Sequence, residues 1–235
     1  MPKPNQVESK KPIRSPAKEM LIKAYLLSYN FIQTLGWSYL LYQIFEFYLL
    51  KREGTLYDQV GTTLLIFQNA AILEAVNAIY KLISSNPAIV IPQIYSRIFV
   101  VCGILLPLSD SQSTIGFPLL LFAWSITEII RYSTYTLNLI NIQLYILKWL
   151  RYTLFIALYP IGVTGELLCM YWAVMEVSRT KLWCWELPNK YNVVFYYHFY
   201  IVFNMILYIP IFPQLYLHMF SQRRKVLGAS TKKTN

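Results

Sequence analysis

The stretch from Arg151 to Glu166 places a phenol and a carboxylate at a spacing that suits acid–base chemistry. Tyr159 and Glu166 are seven residues apart, nearly two helical turns, so both project from one face. Along a straight helix they stand roughly 10 Å apart. Pro160 follows Tyr159 and is expected to disturb the helix one turn back, near Ile156. Gly162 and Gly165 permit close approach of a neighbouring backbone or a substrate. Arg151 lies two turns before Tyr159, which predicts a ladder of base, phenol and carboxylate, with Tyr159 roughly 12 Å below Arg151. A carboxyl held among apolar side chains is a better proton acceptor than one in water. A phenol donates a proton, or a strong hydrogen bond, to a leaving or oxyanionic oxygen. The pair suits elimination or hydration in a water-poor tunnel, without a metal or a strong nucleophile. Basic residues at the tunnel mouth could hold a phosphorylated carrier. The plainer reading of Tyr159 is that it is one of 20 tyrosines and has no special role.

Other chemistries lack their residues. The three cysteines, Cys102, Cys169 and Cys184, form no CxxC pair, so zinc and redox readings have no support. The two histidines, His198 and His218, are far apart, which excludes clustered-histidine iron sites and an HExxH site. No thiolate phosphate cradle, GxSxG elbow, Walker loop or GxGxxG occurs. No metal and no cofactor is expected.

Further ionisable residues fall inside or beside apolar runs, where a charge is costly and faces the bundle interior or a partner. Glu128 and Arg131 are three apart, share a helix face and can neutralise each other, as a packing device or as part of a site. Glu74 is either a site residue or the partner of a base elsewhere. Glu46 lies near a run end, where snorkelling satisfies it. Arg97 and Arg151 lie near the inner ends of their runs.

These residues need long helices to position them. Of the 235 residues, 56% are apolar and 14% charged, with 20 Tyr, 13 Phe and 6 Trp. A soluble domain carries about 45–50% apolar and about 25% charged residues, so an all-α membrane protein is expected. Apolar runs at roughly 20–50, 61–83, 89–107, 115–138, 152–175 and 195–219 predict a six-transmembrane-helix bundle over 19–220. The first run is too long for a signal peptide. Residues 138–151 read either as a loop with a short interfacial helix or as the entry to a long fifth helix. Residues 1–18 read as a disordered basic cytosolic tail. Sixteen of the 21 Lys and Arg fall on the N-terminal side of that topology, which predicts both termini in the cytosol. The net charge of +10 is therefore a topology signal, with some attraction to the lipid bilayer and no nucleic-acid partner. Within the basic tail 221–235, Lys232 and Lys233 sit where a dilysine retrieval signal of the endoplasmic reticulum places its lysines.

Several runs carry a family resemblance: Ser96–Phe99, Ala123–Ser133, Lys148–Trp149, Leu158–Leu168, Leu187–Asn192 and Tyr208–Tyr216. Over residues 20–228 the chain resembles the very-long-chain 3-hydroxyacyl-CoA dehydratases, once called protein-tyrosine-phosphatase-like proteins. The resemblance implies a six-span protein of the endoplasmic reticulum membrane. It also implies the third step of fatty-acid elongation, 3-hydroxyacyl-CoA to trans-2-enoyl-CoA and water. The family's catalytic pair maps onto Tyr159 and Glu166. Other family residues map onto Glu74, Gln93, Arg97, Glu128, Arg131, Arg151 and Gly162. The acyl-CoA head is expected near Arg97, Lys148 and Arg151. Implied partners are the elongase, the 3-ketoacyl-CoA reductase and the enoyl-CoA reductase. One departure is Asn77, where many relatives carry His; an amide keeps hydrogen bonding but cannot carry a proton. Two rival readings are a catalytically silent scaffold of the elongation complex and a small transporter, the latter weakened by the lack of an inverted repeat.

Overall fold

The computed structural model describes residues 15–83 and 85–231. Most of the N-terminal basic tail, and Lys232 and Lys233, lie outside the described residues. The elements are α1 (Pro16–Leu49), α2 (Leu56–Ala70), α3 (Ile72–Ile79), α4 (Pro87–Ile98), a π-helical segment (Phe99–Leu105), α5 (Ser109–Ser113), α6 (Gly116–Leu139), α7 (Tyr145–Arg151), α8 (Phe155–Thr180) and α9 (Tyr197–Thr231). Among the described residues the only β pairing is an isolated bridge, Trp185–Phe195. The all-α expectation holds.

Local chemistry sets the helix boundaries. Thr55 and Asp58 form a reciprocal cap at the start of α2: Thr55 Oγ1 accepts from the Asp58 N–H, and Asp58 Oδ2 accepts from the Thr55 N–H, both at 3.1 Å. Asn86 caps α4 ahead of Pro87, which occupies the first turn, where its missing N–H is harmless. The wide π-helical turn leaves the Gly103 carbonyl to accept from the Tyr197 hydroxyl at 2.8 Å. Residues 138–151 resolve into a short connection and the separate helix α7, followed by a turn at 152–154.

Six long helical segments alternate in direction. The start of α1 meets α3 and the end of α6: Tyr25 donates to Asn77 Oδ1, and the Tyr29 ring lies edge-on to Tyr132. Its far end meets the start of α2, where Gln43 donates to the Gln59 carbonyl at 2.9 Å. The start of α8 meets the end of α9, where Phe155 packs edge-on against Phe220. Short α5 docks on the second half of α8: Glu176 accepts from the Ser109 and Asp110 N–H groups, and Arg179 pairs with Asp110.

Among the described residues, four helical stretches are long and apolar enough to cross a membrane: Leu56–Ile79, Pro87–Leu105, Phe155–Thr180 and Tyr197–Leu227. The expected count was six. The two long helices outside this set are α1 and α6, and each has a reason in its composition. α6 carries Ser125, Thr127, Glu128 and Arg131 within two turns. α1 buries three amides, Asn30, Gln33 and Gln43, among apolar residues on its inner side, while Phe31, Ile32, Leu35 and Phe45 point outward. A mean over α1 therefore understates the apolarity of its outer face. The two helices pack extensively on each other. Glu46, at the end of α1, pairs with Arg52 and accepts from Gln59, the satisfied structural role expected of it.

The closest approach of two helices fixes the position of the candidate site. A Cβ on Gly165 of α8 would lie 2.6 Å from the Leu120 nitrogen and 2.7 Å from the Gly116 oxygen of α6. A Cβ on Gly116 would lie 2.7 Å from the Gly165 oxygen. The two backbones touch here, and the next residue along α8 is Glu166. Gly165→Ala is expected to force α6 and α8 apart, costing about 1–3 kcal/mol. Thermal unfolding in detergent reads this as a lowered midpoint.

Candidate active site

Glu166 is buried at 7% exposure, at a junction of three helices. Its Oε1 accepts from Trp124 Nε1 of α6 at 2.9 Å, and its Oε2 accepts from the Tyr208 hydroxyl of α9 at 2.5 Å. Trp124 comes one turn after Leu120 on α6, so the glycine crossing presents its indole to Glu166. Gly162 lies on the same contact, with space for a Cβ 3.4 Å from Ala123 Cβ and 3.9 Å from the Trp124 ring. It is the looser of the two glycine positions, and Gly165 carries the backbone approach.

Tyr159 lies on the same helix as Glu166, within electrostatic reach of it. Its ring stacks nearly parallel on Phe212, at 5.2 Å, and on Tyr216, at 5.9 Å between centroids. Its hydroxyl has no hydrogen-bond partner among the described residues. Pro160 removes the N–H that would have bonded the Ile156 carbonyl. That carbonyl instead accepts from the Tyr216 hydroxyl at 2.9 Å, which locates the expected disturbance at Ile156 and shows what repairs it.

The remaining acids form a closed network. Arg131 grips Glu74 with two N–H groups, at 2.7 and 2.9 Å, and donates its Nε–H to Glu128 Oε2 at 2.7 Å. Arg97 pairs with the other oxygen of Glu128, and the Tyr132 hydroxyl donates to Glu74. Two glutamates and two arginines from α3, α4 and α6 thus cancel in charge, as burial requires. The Glu128–Arg131 pair forms as its spacing predicts, and Glu74 is the partner of a base. Asn77, also buried, accepts from the Tyr25 hydroxyl at 3.2 Å, so the amide has a hydrogen-bonding role.

This network touches the candidate site through Arg97. Its guanidinium lies over the Trp124 ring, 5.0 Å from the centroid, and its charge acts on Tyr159, Glu166 and Tyr208. Lys148 and Arg151 lie elsewhere, in a groove of about 350 Å³ between the end of α6 and α7. Thr134, Asn138, Gln143 and Tyr152 also line it. Arg151 reaches the Tyr135 hydroxyl at 3.3 Å, and Tyr135 in turn lies beneath Arg131. The sequence placed Arg97 with Lys148 and Arg151; the structure commits Arg97 to Glu128 instead. The ladder from Arg151 to Tyr159 is interrupted, because the chain turns at 152–154 between α7 and α8. Gln93 is exposed on α4, and its side chain makes no hydrogen bond among the described residues. Among the described residues no group of three or more His, Cys, Asp or Glu could hold a metal ion.

Two residues at this junction were not singled out by sequence, Trp124 and Tyr208. Each is 42 positions from Glu166. Both lay within runs that carried the family resemblance, but nothing in spacing along one helix points to them.

Fold and site together define an all-helical, membrane-type protein with one buried carboxylate held by two aromatic donors. The family described as protein tyrosine phosphatase-like protein, PTPLA, matches residues 68–229. The chain belongs to this family. It is 45% identical over 206 residues to the very-long-chain (3R)-3-hydroxyacyl-CoA dehydratase 2 of Mus musculus, covering 87% of this chain and 81% of the mouse protein. It is 42% identical over 219 residues to the very-long-chain (3R)-3-hydroxyacyl-CoA dehydratase hpo-8 of Caenorhabditis elegans, covering 91% and 99%. It is 34% identical over 207 residues to the very-long-chain (3R)-3-hydroxyacyl-CoA dehydratase PASTICCINO 2B of Oryza sativa subsp. japonica, covering 88% and 94%. No solved structure matches.

Proposed function

We propose that this chain dehydrates very-long-chain 3-hydroxyacyl-CoA to trans-2-enoyl-CoA, the third step of a fatty-acid elongation cycle. The observation that carries the reading is the Tyr159–Glu166 pair: a buried carboxylate and an unpartnered phenol on one helix, in a chain similar to dehydratases over most of its length. Glu166 takes the proton alpha to the thioester. The electrons of that C–H bond form the new double bond, and the beta C–O bond breaks. Tyr159 gives its proton to the departing hydroxyl, which leaves as water. The proton on Glu166 then returns to the Tyr159 phenolate, and the site is reset. Trp124 and Tyr208 orient the carboxylate, and the apolar bundle keeps bulk water from the reacting atoms.

The test is turnover by the purified chain. A very-long-chain 3-hydroxyacyl-CoA should yield the trans-2-enoyl-CoA, followed by mass spectrometry. A well-folded preparation that forms no product overturns the assignment and favours the scaffold reading.

Lys148 and Arg151 hold the phosphates of the CoA head in the groove beside α7, where charge-assisted hydrogen bonds have most value. Replacing both with Ala is expected to raise KM for the acyl-CoA about 10- to 100-fold, with kcat little changed. On this reading the chain has six spans in the endoplasmic reticulum membrane with both termini cytosolic; the outward apolar face of α1 and the shelter of α6 by α1 and α8 support the span count. The elongase and the two reductases of the same cycle would then be its neighbours, supplying the substrate and consuming the product.

A further inference from the structure

One stripe of α9 serves both members of the pair. Tyr208, Phe212 and Tyr216 are four residues apart, so they share the helix face turned to α8. Because α8 and α9 run in opposite directions, the stripe meets α8 in reverse order. Tyr208 meets Glu166, Phe212 meets Tyr159, and Tyr216 meets both Tyr159 and the Ile156 carbonyl.

The two phenols beside Glu166 therefore differ in status. Tyr208 gives its hydroxyl proton to Glu166 Oε2 in a hydrogen bond of 2.5 Å, while the Tyr159 hydroxyl is bonded to nothing among the described residues. A carboxylate has about four acceptor positions. Trp124 and Tyr208 occupy two of them, one on each oxygen, which fixes the plane of the group and leaves the others for a substrate proton. Both donors are aromatic rings on other helices, so the carboxylate is held by rigid groups rather than by flexible chains.

Resting on the dehydratase reading above, we propose that Tyr208 is a positioning residue for Glu166, and that this division of labour keeps the Tyr159 hydroxyl free for the substrate. In this reading Tyr208 exchanges no proton with the substrate and reaches it only through Glu166 Oε2. It acts by holding Glu166 where the alpha proton arrives, and misplacement of a reacting group by about 1 Å costs on the order of 100-fold in rate.

The experiment is a cycle of four proteins assayed with the same 3-hydroxyacyl-CoA: wild type, Tyr208→Phe, Glu166→Gln and the double variant. Tyr208→Phe keeps the ring and removes the hydroxyl. It is expected to lower kcat roughly 10- to 100-fold while KM stays within about twofold. In the Glu166→Gln background it should lower the residual rate little further, because its effect passes through the carboxylate. Thermal unfolding in detergent is measured on all four. Wild-type kcat in Tyr208→Phe overturns the proposal. So does a loss that multiplies fully onto Glu166→Gln, or one accounted for by a lowered unfolding midpoint, since either marks a structural role. Absence of turnover by the folded wild type overturns the dehydratase reading and this proposal together; the other outcomes leave that reading standing.

Discussion

Replacing Glu166 with Gln is expected to abolish most dehydration, lowering kcat by about 100- to 10,000-fold, the range a positioned general base contributes. The substitution keeps size; the amide oxygen can still accept from Trp124, while the amide NH2 donates to the Tyr208 oxygen, whose own proton turns away, so the three-helix junction should survive. An amide oxygen still accepts a hydrogen bond, but it cannot take up the alpha proton at neutral pH. The loss should therefore appear in kcat, with KM and the unfolding midpoint near wild type. Tyr159→Phe should fall to a similar low rate, because the neighbouring phenols of Tyr208 and Tyr216 are already committed to Glu166 and to the Ile156 carbonyl. Its ring would still stack on Phe212 and Tyr216, so its stability should also be kept. Wild-type turnover by Glu166→Gln would remove the carboxylate from the mechanism altogether.

Arg131→Met should give the largest loss of stability. Arg131 is the hub of the charge network, bonded to Glu74 twice and to Glu128 once. Without it, the network holds two carboxylates against Arg97 alone, and one buried negative charge has no partner. Breaking a buried ion pair from one side costs about 3–5 kcal/mol. Chemical or thermal unfolding in detergent should show this directly. Restoring neutrality with Glu74→Gln in the same chain should recover part of it, because the amide needs no counter-charge. A double variant no more stable than Arg131→Met would mean that shape, not charge, holds α3 against α6.

The chemistry within single elements was legible in the sequence. Spacing along one helix predicted the shared face of Tyr159 and Glu166, the Glu128–Arg131 pair and the weak point at Ile156. Such relations follow from helical geometry, which repeats regardless of what the helix packs against. Relations between helices were not legible in this way. That Glu74 meets Arg131, or that Tyr208 rather than Tyr159 holds Glu166, depends on the register of packed helices, which no periodicity reports. Arg97 shows the same limit. It was grouped with Lys148 and Arg151 as part of the expected acyl-CoA site, yet the buried Glu128 claims it: Arg131 is shared between Glu74 and Glu128, so the two acids need a second base. The four helices that are apolar overall were readable as membrane spans from composition, while α1 turns buried amides to α2 and α6 commits its charges to α3 and α4.

That last arrangement bears on how the chain is made. A helix entering the bilayer by itself exposes its whole circumference to lipid. On the six-span topology, α1 would present Asn30, Gln33 and Gln43 to hydrocarbon until its neighbours arrive, and α6, on which it packs most, is synthesised only after α2 to α5. The intervening α2 offers earlier shelter: Gln33 donates to the Phe67 carbonyl, and Gln43 to the Gln59 carbonyl. The first helical hairpin would then act as a holding form during biosynthesis, with α6 completing it later in translation.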